Sequence, residues 1–332
     1  MTEQGELAMQ RLDELLALED AEKALLGVRY TAGEIAAQPE LWVETAERML
    51  PHRERLAELL EGAEQVILTG SGSSFYIGRS LERALSRSLD QHVQAVAGTE
   101  IVMDPDGTLP RRPFVLVSFA RSGESPEGNA AFQLAERLRP GLVRQLVITC
   151  NAEGTLARLA RESASPTVCC LMPPQTHDRG LAMTSSFTSM FVAALLLSSV
   201  DDAEGYRRVV TRLAEAGRAI LKEYAGALAE AAQLPFTRAC FVGSGALYGA
   251  ALEAHLKVQE LSDGIVMGLA EETLGFRHGP MSALNGPSLF GLFASGDPYR
   301  RQYESDLFRE VAEKGLGLIR LVVCPFPEPD WL

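Results

Sequence analysis

The sequence predicts an α/β protein made of two parallel-sheet units, each with helices on both faces of its sheet. The main observation is a repeated glycine-rich turn, since Gly70-Ser71-Gly72 recurs as Gly243-Ser244-Gly245. Each copy lies between a short apolar run, at 66–69 or 240–242, and a segment with helical character. A turn of this kind lets the backbone approach an anionic ligand closely at a helix N-terminus. The repetition therefore predicts one structural unit that is used twice.

Residues 1–58 are predicted to form a helical leader before the first unit, because Leu, Ala and Glu are frequent there. Within the leader, the segment from Thr31 to Glu34 matches a capping box. In that motif a hydroxyl and a carboxylate bind free N–H groups at a helix start. We therefore expect Thr31 to cap a helix and Glu34 to complete the cap.

The first unit is predicted to span residues 59–205. Apolar runs at 66–68, 114–119, 146–149 and 168–172 alternate with helix-like segments. This alternation is expected for parallel strands that are covered by helices on both faces. Residues 183–200 carry no charge and are predicted to form a central buried helix.

The second unit is predicted to occupy residues 206–332, with a linker helix over 206–232 and a strand soon after Pro235. The closing segment, 324–332, contains three prolines and has no helical pattern. Fewer residues follow the second glycine turn than the first unit uses for its strands and helices. We therefore expect the second unit to be truncated at its C-terminus.

Composition excludes several classes of protein. The chain has 332 residues, of which 46% are hydrophobic, so it can bury a sizeable core. Its net charge of −13 argues against nucleic acid or an anionic membrane as partner, since both usually require a basic patch. The five cysteines form no CxxC pair, which argues against a zinc site or a disulfide framework. With no apolar signal core or membrane-spanning stretch, the protein is predicted to be cytoplasmic.

The clearest chemical motif is SFARSGESPE at 118–127, directly after the apolar run 114–117. Ser125 is predicted to cap the next helix, with Pro126 at its first position. The hydroxyls of Ser122 and Ser125, together with the N–H groups of this helix start, can hold a phosphate. Further hydroxyls follow other strands, and carboxyl ends of strands line the ligand crevice of an open α/β sheet. These are Ser73, Ser74, Thr184, Ser185 and Ser186.

A second group of residues has the types needed for proton transfer. Glu253, Lys257 and Glu260 are spaced four and three apart, which places them on one face of a helix. A solvated salt-bridge stripe explains this spacing as well as a catalytic site does. His278 lies in the loop segment FRHGP at 276–280, and one carboxylate with one histidine suffices for acid–base chemistry.

Taken together, these motifs resemble a family of proteins with two sugar isomerase (SIS) domains, and specifically the AgaS family. The resemblance extends from about Tyr30 to Asp306. That family is named as tagatose-6-phosphate ketose/aldose isomerase and as galactosamine-6-phosphate deaminase. The isomerase half of glucosamine-6-phosphate synthase is a more distant relative, and its SQSGET phosphate loop aligns with residues 120–125. The segments that carry the resemblance are GSGSS at 70–74, SFARSGESPEG at 118–128, QTHDRGLAMTSS at 175–186, LKVQELS at 256–262 and GFRHGP at 275–280.

The resemblance implies a role for each matched residue. Glu260 would move a proton between C2 and C1 of the sugar, His278 would assist ring opening, and Lys257 would orient the carboxylate or the sugar hydroxyls. Related sites take the histidine from the neighbouring subunit, which implies a homodimer. A catalytic lysine near the C-terminus of the distant relative has no counterpart here. The implied phosphate-binding residues are Ser73, Ser74, Arg121, Ser122, Ser125 and Thr184.

The function implied is isomerisation with deamination of galactosamine 6-phosphate to tagatose 6-phosphate in amino-sugar catabolism, with no metal and no other cofactor. Two alternatives stay open: an isomerase that does not deaminate, and a non-catalytic module that binds a phosphosugar to regulate a partner. A nicotinamide-dependent oxidoreductase is disfavoured, because neither glycine turn matches GxGxxG. The choice between galactosamine and glucosamine stays open, as does the role of the segment THDRG at 176–180, either a structural loop or a substrate contact.

Overall fold

The structure of the protein, a computed structural model, describes residues 12–325. Before the first sheet lies a helical leader, whose longest helix, α4 (Gln38–Met49), buries Leu41, Ala46 and Met49. Helix α4 contacts two later helices, at Ser185–Leu195 and Ala203–Glu223, and the leader contributes to the main hydrophobic core of the first unit. The leader helices are α1 (Leu12–Ala17), α2 (Asp20–Leu25), α3 (Thr31–Ala36), α4 (Gln38–Met49) and α5 (Arg53–Leu60).

The predicted capping box is wrong. Tyr30 is the N-cap residue of α3 and Thr31 is already helical, with no hydroxyl cap. The carboxylate of Glu34 instead accepts hydrogen bonds from the backbone N–H groups of Arg179 and Gly180. Glu34 therefore binds a segment that is distant in the chain and not the N-terminus of its own helix.

The first sheet has five parallel strands in the order β2-β1-β3-β4-β5. Four of them coincide with the predicted apolar runs, and β2 was missed. Alternate residues face opposite sides of the sheet, so that Val66 and Leu68 pack in one hydrophobic cluster and Ile67 in another. The strands are β1 (Gln65–Gly70), β2 (His92–Ala97), β3 (Phe114–Ala120), β4 (Val143–Thr149) and β5 (Thr167–Leu171).

Helices cover both faces of this sheet, as predicted. The uncharged segment forms the buried helix α11, which is followed by a short 3₁₀ turn at Leu196–Ser198. The helices of this unit are α6 (Ser73–Leu89), α7 (Gly98–Met103), α8 (Pro105–Thr108), α9 (Pro126–Leu138), α10 (Thr155–Glu162) and α11 (Ser185–Leu195).

Two helices, α12 (Ala203–Glu223) and α13 (Ala225–Ala232), lead to a second parallel sheet. Its order is β7-β6-β8-β9, which is the order of the first four strands of the first sheet. Both glycine turns also share a backbone geometry, since Gly72 and Gly245 have positive φ of 57° and 61°. The elements of this part are β6 (Arg238–Gly243), α14 (Ala246–Leu261), β7 (Met267–Glu272), β8 (Ser288–Phe293), α15 (Pro298–Glu313) and β9 (Ile319–Val323).

The helices that follow the two glycine turns, α6 and α14, pack directly against each other. The two helices lie very close together at Gly249, where a Cβ atom would lie 2.1 Å from Ser80 Oγ and 2.5 Å from Ser80 N. Only glycine permits this approach, because the second of these atoms belongs to the backbone. The contact brings residues of α14 to the start of α6.

Within residues 12–325, no helix is both long and apolar enough to cross a membrane. The same range contains no group of three or more His, Cys, Asp or Glu side chains that could hold a metal ion. Of the five cysteines, Cys150, Cys170 and Cys240 are buried, whereas Cys169 and Cys324 are half-buried. Burial raises the pKa of the Cys150 thiol to about 12.

Candidate active site

A cavity of about 170 Å³ lies at the carboxyl ends of β1 and β3. Its wall includes first-turn residues of α6 and α9, so two helix N-termini contribute to it. The partial positive charge of helix N-termini favours an anion. We call this cavity the hydroxyl pocket, because serine and threonine residues make up much of its wall.

Four of the six residues expected to bind phosphate line the hydroxyl pocket: Ser74, Arg121, Ser122 and Ser125. The N-cap prediction for Ser125 is confirmed, since its hydroxyl accepts a hydrogen bond of 3.2 Å from the backbone N–H of Gly128. Ser74 is held weakly, through a 3.8 Å contact from its hydroxyl to the sulfur of Met183. A ligand can therefore take the Ser74 hydroxyl at little cost.

Four further residues of the pocket wall were not predicted from the sequence: Thr69, Ser71, Ser118 and Asn129. Each has a buried side-chain oxygen with no hydrogen-bond partner in the described part of the chain. Thr69 and Ser118 are register neighbours on β1 and β3. Buried polar atoms are normally paired, so this group suits a polar ligand. Thr69 and Ser118 could have been predicted from the sequence, because both hydroxyls lie near the carboxyl ends of predicted strands.

The structure does not bring the other two expected phosphate residues, Ser73 and Thr184, into the pocket wall. Thr184 instead donates to the buried carboxylate of Asp178, through its backbone N–H at 2.8 Å and its hydroxyl at 3.1 Å. Ser185 and Ser186 bind the same carboxylate through their N–H and hydroxyl groups. Asp178 thus caps α11, which gives this residue of the segment 176–180 a structural role.

The predicted acidic stripe of α14 forms one ion-pair network. The Lys257 ammonium lies 2.5 Å from Glu260 Oε2 and 3.4 Å from Glu253 Oε1. Glu253 is buried, whereas the Glu260 side chain is 31% exposed. No hydrogen bond of ordinary geometry within residues 12–325 reaches either Glu253 oxygen.

Burial raises the pKa of Glu253 to about 7, although the Lys257 charge and the Ser73 hydroxyl both oppose the rise. Ser73 is the neighbour of Ser74 in the chain, so this carboxyl lies one residue away from the pocket wall. Tyr76 is beside the same group, and its pKa is raised by burial first and then by the Glu253 charge. A carboxyl with a pKa near neutrality can give and take a proton at physiological pH. The sequence did not predict this role for Glu253, because the burial that raises its pKa depends on the packing of α14 against α6.

His278 is exposed and lies between two short 3₁₀ turns. The neighbouring Arg277 forms an ion pair of 2.6 Å with Glu310 on α15. Among the described residues, the ion pairs of Lys257 do not include His278, and His278 does not line the hydroxyl pocket. The structure of the single chain therefore shows no ion pair between the two kinds of group that the sequence assigned to acid–base chemistry.

The first sheet and the hydroxyl pocket both lie within residues 59–199, and these residues match the SIS domain family. AgaS of Streptomyces coelicolor is 44% identical over 293 residues, which are 85% of this chain and 74% of that protein. The chain belongs to the AgaS family.

Two further comparisons agree with this assignment. The D-galactosamine-6-phosphate deaminase AgaS of Shewanella sp. (strain ANA-3) is 37% identical over 316 residues, 92% of this chain and 80% of that protein. The crystal structure of tagatose-6-phosphate ketose/aldose isomerase from Escherichia coli superposes with a TM-score of 0.83 at 33% identity. That match covers 91% of this chain and 83% of the other.

Proposed function

We propose that the protein converts galactosamine 6-phosphate and water into tagatose 6-phosphate and ammonia. The observation that carries the proposal is the packing of α14, with its buried and ion-paired Glu253, against α6, the helix whose first turn lines the hydroxyl pocket. It joins an anion site to a carboxyl that titrates near pH 7. The relatives named as deaminase and as isomerase support the same substrate class.

The phosphate is proposed to bind the hydroxyl pocket. Ser74, Ser122 and Ser125 offer hydroxyls, Arg121 offers a positive charge, and the N-termini of α6 and α9 add N–H donors. These groups hold the end of the sugar that does not react. Binding energy at a distant group can orient the reacting carbons.

The reaction needs one proton to move between adjacent carbons. In the open-chain sugar, a base removes the proton from C2, which carries the amine, and returns a proton to C1. The product is an imine at C2; water adds to it, ammonia leaves, and the ketone remains. Glu260 is proposed as this base, and Glu253 as a second carboxyl that can hold a proton in the same network. Lys257 lies between them and orients both.

The second sheet is proposed to be a second SIS unit that has lost phosphate binding. The loop after β8 matches the position of the phosphate loop after β3, but it places Asp297 at the N-cap of α15. The buried carboxylate of Glu304 accepts a 2.8 Å hydrogen bond from Ser295 N in the same region. The two carboxylates accept from backbone N–H groups of this helix start and loop, so these donors are already taken, although Arg300 lies beside Gly245. One phosphosugar per chain is therefore expected.

The alternative of a non-catalytic phosphosugar-binding module is weakened by the raised pKa of Glu253, which sugar binding alone does not require. An isomerase without deamination uses the same groups and differs only in the substituent at C2. The cytoplasmic location stays a prediction from the sequence.

The test is ammonia release from galactosamine 6-phosphate by the purified protein, with glucosamine 6-phosphate alongside. We expect release from galactosamine 6-phosphate, and Glu260→Gln to lower kcat by about a hundred- to ten-thousand-fold because a general base is lost. Isothermal titration with tagatose 6-phosphate serves as the control, since the variant should still bind it. Equal activity of Glu260→Gln would contradict the assigned base. Binding without ammonia release from either sugar would favour the regulatory module.

A further inference from the structure

The segment Arg179–Leu181, which we call the strap, is held from two sides. On one side Glu34 Oε1 accepts hydrogen bonds from Arg179 N at 2.6 Å and Gly180 N at 3.1 Å. On the other side Arg121 donates through one nitrogen to Gly180 O and Leu181 O, each at 3.2 Å. The strap therefore joins helix α3 of the leader to the loop that follows β3.

The contact between the strap and α3 leaves no free space. A Cβ atom on Gly180 would lie 2.8 Å from Glu34 Oε2 and 3.0 Å from Thr31 Oγ1. The guanidinium of Arg179 lies 4.3 Å from the centre of the Tyr30 ring and also donates a 2.9 Å hydrogen bond to the Tyr30 hydroxyl. The second oxygen of Glu34 is buried and has no hydrogen-bond partner among the described residues. The negative charge of Glu34 is thus aimed at the two N–H groups of the strap.

The position of the strap affects the hydroxyl pocket at two points. Arg121 lines the pocket, and the two strap carbonyls fix its guanidinium. Met183, two residues beyond the strap, also lines the pocket and contacts the Ser74 hydroxyl. A strap that moves away from α3 would release the guanidinium and shift this wall.

We propose that Glu34 is a positioning residue for phosphosugar binding, which acts through the strap to hold Arg121 toward the bound phosphate. The proposal rests on the proposed function only in that the hydroxyl pocket takes a phosphate. Ordering a free arginine side chain on binding lowers affinity, and the loss expected is about tenfold in Kd. Since Glu34 does not touch the reacting carbons, the loss should fall on binding and not on the chemical step.

The test compares Glu34→Ala, Glu34→Gln and wild type by three readouts. They are the Kd for inorganic phosphate by calorimetry, KM and kcat for galactosamine 6-phosphate, and hydrogen exchange at the Arg179 and Gly180 amides. For Glu34→Ala we expect Kd and KM to rise about tenfold, kcat to stay within about twofold, and both amides to exchange faster. Glu34→Gln keeps an acceptor oxygen and should recover part of the affinity.

The matched control is Glu44→Ala, which removes a carboxylate of the same leader that pairs with Arg48. It should leave all three readouts unchanged. Gly180→Ala attacks the same contact from the other side and should also raise the phosphate Kd, which keeps the proposal testable if Glu34→Ala does not fold. An unchanged phosphate Kd in a folded Glu34→Ala protein would overturn the proposal.

Failure of the proposed function looks different. If the wild type binds phosphate but releases no ammonia, the deaminase proposal fails, while the ratio of phosphate Kd values still decides the role of Glu34. If the wild type binds no phosphate, both proposals fall.

Discussion

Glu253 lies in the candidate active site, but its ionised carboxylate lowers the free energy of unfolding of the protein. Its carboxyl is buried beside Ser73, and burial outweighs the opposing charge of Lys257, so its pKa rises to about 7 from an ordinary value of 4.5. In the unfolded chain the group ionises near pH 4.5. The stability associated with the bound proton is therefore complete below pH 4.5 and is lost as the pH rises to about 7.

This difference in pKa predicts a pH-dependent effect of Glu253→Gln. The amide cannot ionise, so the variant should avoid a loss that reaches about 3 kcal/mol in the wild type above pH 7. We expect the free energy of unfolding of Glu253→Gln to exceed that of the wild type at pH 8, with the gap closing toward pH 4.5. Urea unfolding at several pH values measures it.

Glu260→Gln is the matched control for this experiment, because it makes the same change about two helical turns further along α14. Its side chain is 31% exposed and bonded to Lys257, so its replacement should not increase stability at pH 8. Parallel stability curves for the wild type and Glu253→Gln would contradict a raised pKa at Glu253.

For individual residues, the sequence predicted which residues form polar contacts better than it predicted their partners. Ser125 caps its own helix, as the local pattern predicts. Thr184 and Glu34 were assigned local or ligand-binding roles, but each has a protein partner, Asp178 and the strap respectively. The strap lies 145 residues from Glu34 in the chain, and a local sequence pattern carries no information about such a partner. A hydrogen bond also depends on the geometry at its acceptor, which the sequence does not specify.

Among the helices and strands, the packing of α6 against α14 matters most for the site, because it places Glu253 of α14 near Ser73 of α6. Gly249 is the residue that permits it, and an alanine there would collide with backbone atoms of Ser80. We expect Gly249→Ala to lower the free energy of unfolding by about 1–3 kcal/mol through overpacking. Chemical denaturation measures the loss, and calorimetry with phosphate reports whether the pocket is disturbed.

Two further variants separate overpacking from other effects of alanine. Gly33→Ala in α3 meets no atom within 4 Å and should be neutral or slightly stabilising, because alanine favours a helix. Ser80→Gly should not rescue Gly249→Ala, since Ser80 N and Cα remain at 2.5 and 2.6 Å. A Gly249→Ala protein as stable as the wild type would mean that the two helices separate without cost.

The strands show why elements with strong patterns were predicted and others were not. β1, β3 and β4 are buried along nearly their whole length, which gives continuous apolar runs. Four strands were missed, namely β2, β7, β8 and β9. Of these, β2 and β7 are edge strands whose sequences, HVQAVA and MGLAEE, include polar or glycine positions, whereas β8 is a central strand that is buried along nearly its whole length. A strand that is paired on one side needs less apolar surface, so its sequence does not differ clearly from that of a loop.

For the molecule as a whole, the repeated turn and the alternating pattern were enough to predict parallel sheets covered by helices. The relation between the sheets was not predictable, because it depends on contacts such as the one between Gly249 and Ser80. The same holds for the candidate site. Its hydroxyls follow strands that a sequence pattern can identify, whereas its carboxylates lie on a helix of the second sheet, whose position beside the first could not be predicted.

The exposed position of His278 leads to a prediction about assembly. If the histidine acts in the site of a neighbouring subunit, as the resemblance to the family implies, each site of a homodimer combines Glu260 of one chain with His278 of the other. Glu260→Gln and His278→Asn homodimers would then both be inactive, but a mixed dimer would have one intact site. Refolding the two variants together should restore about a quarter of wild-type activity, because half of the dimers are mixed and each has one working site of two. The control is each variant refolded alone, with sedimentation to establish the dimer. A mixture as inactive as its components, in a sample shown to contain mixed dimers, would place both groups in the site of one chain and require a movement that carries His278 toward α14.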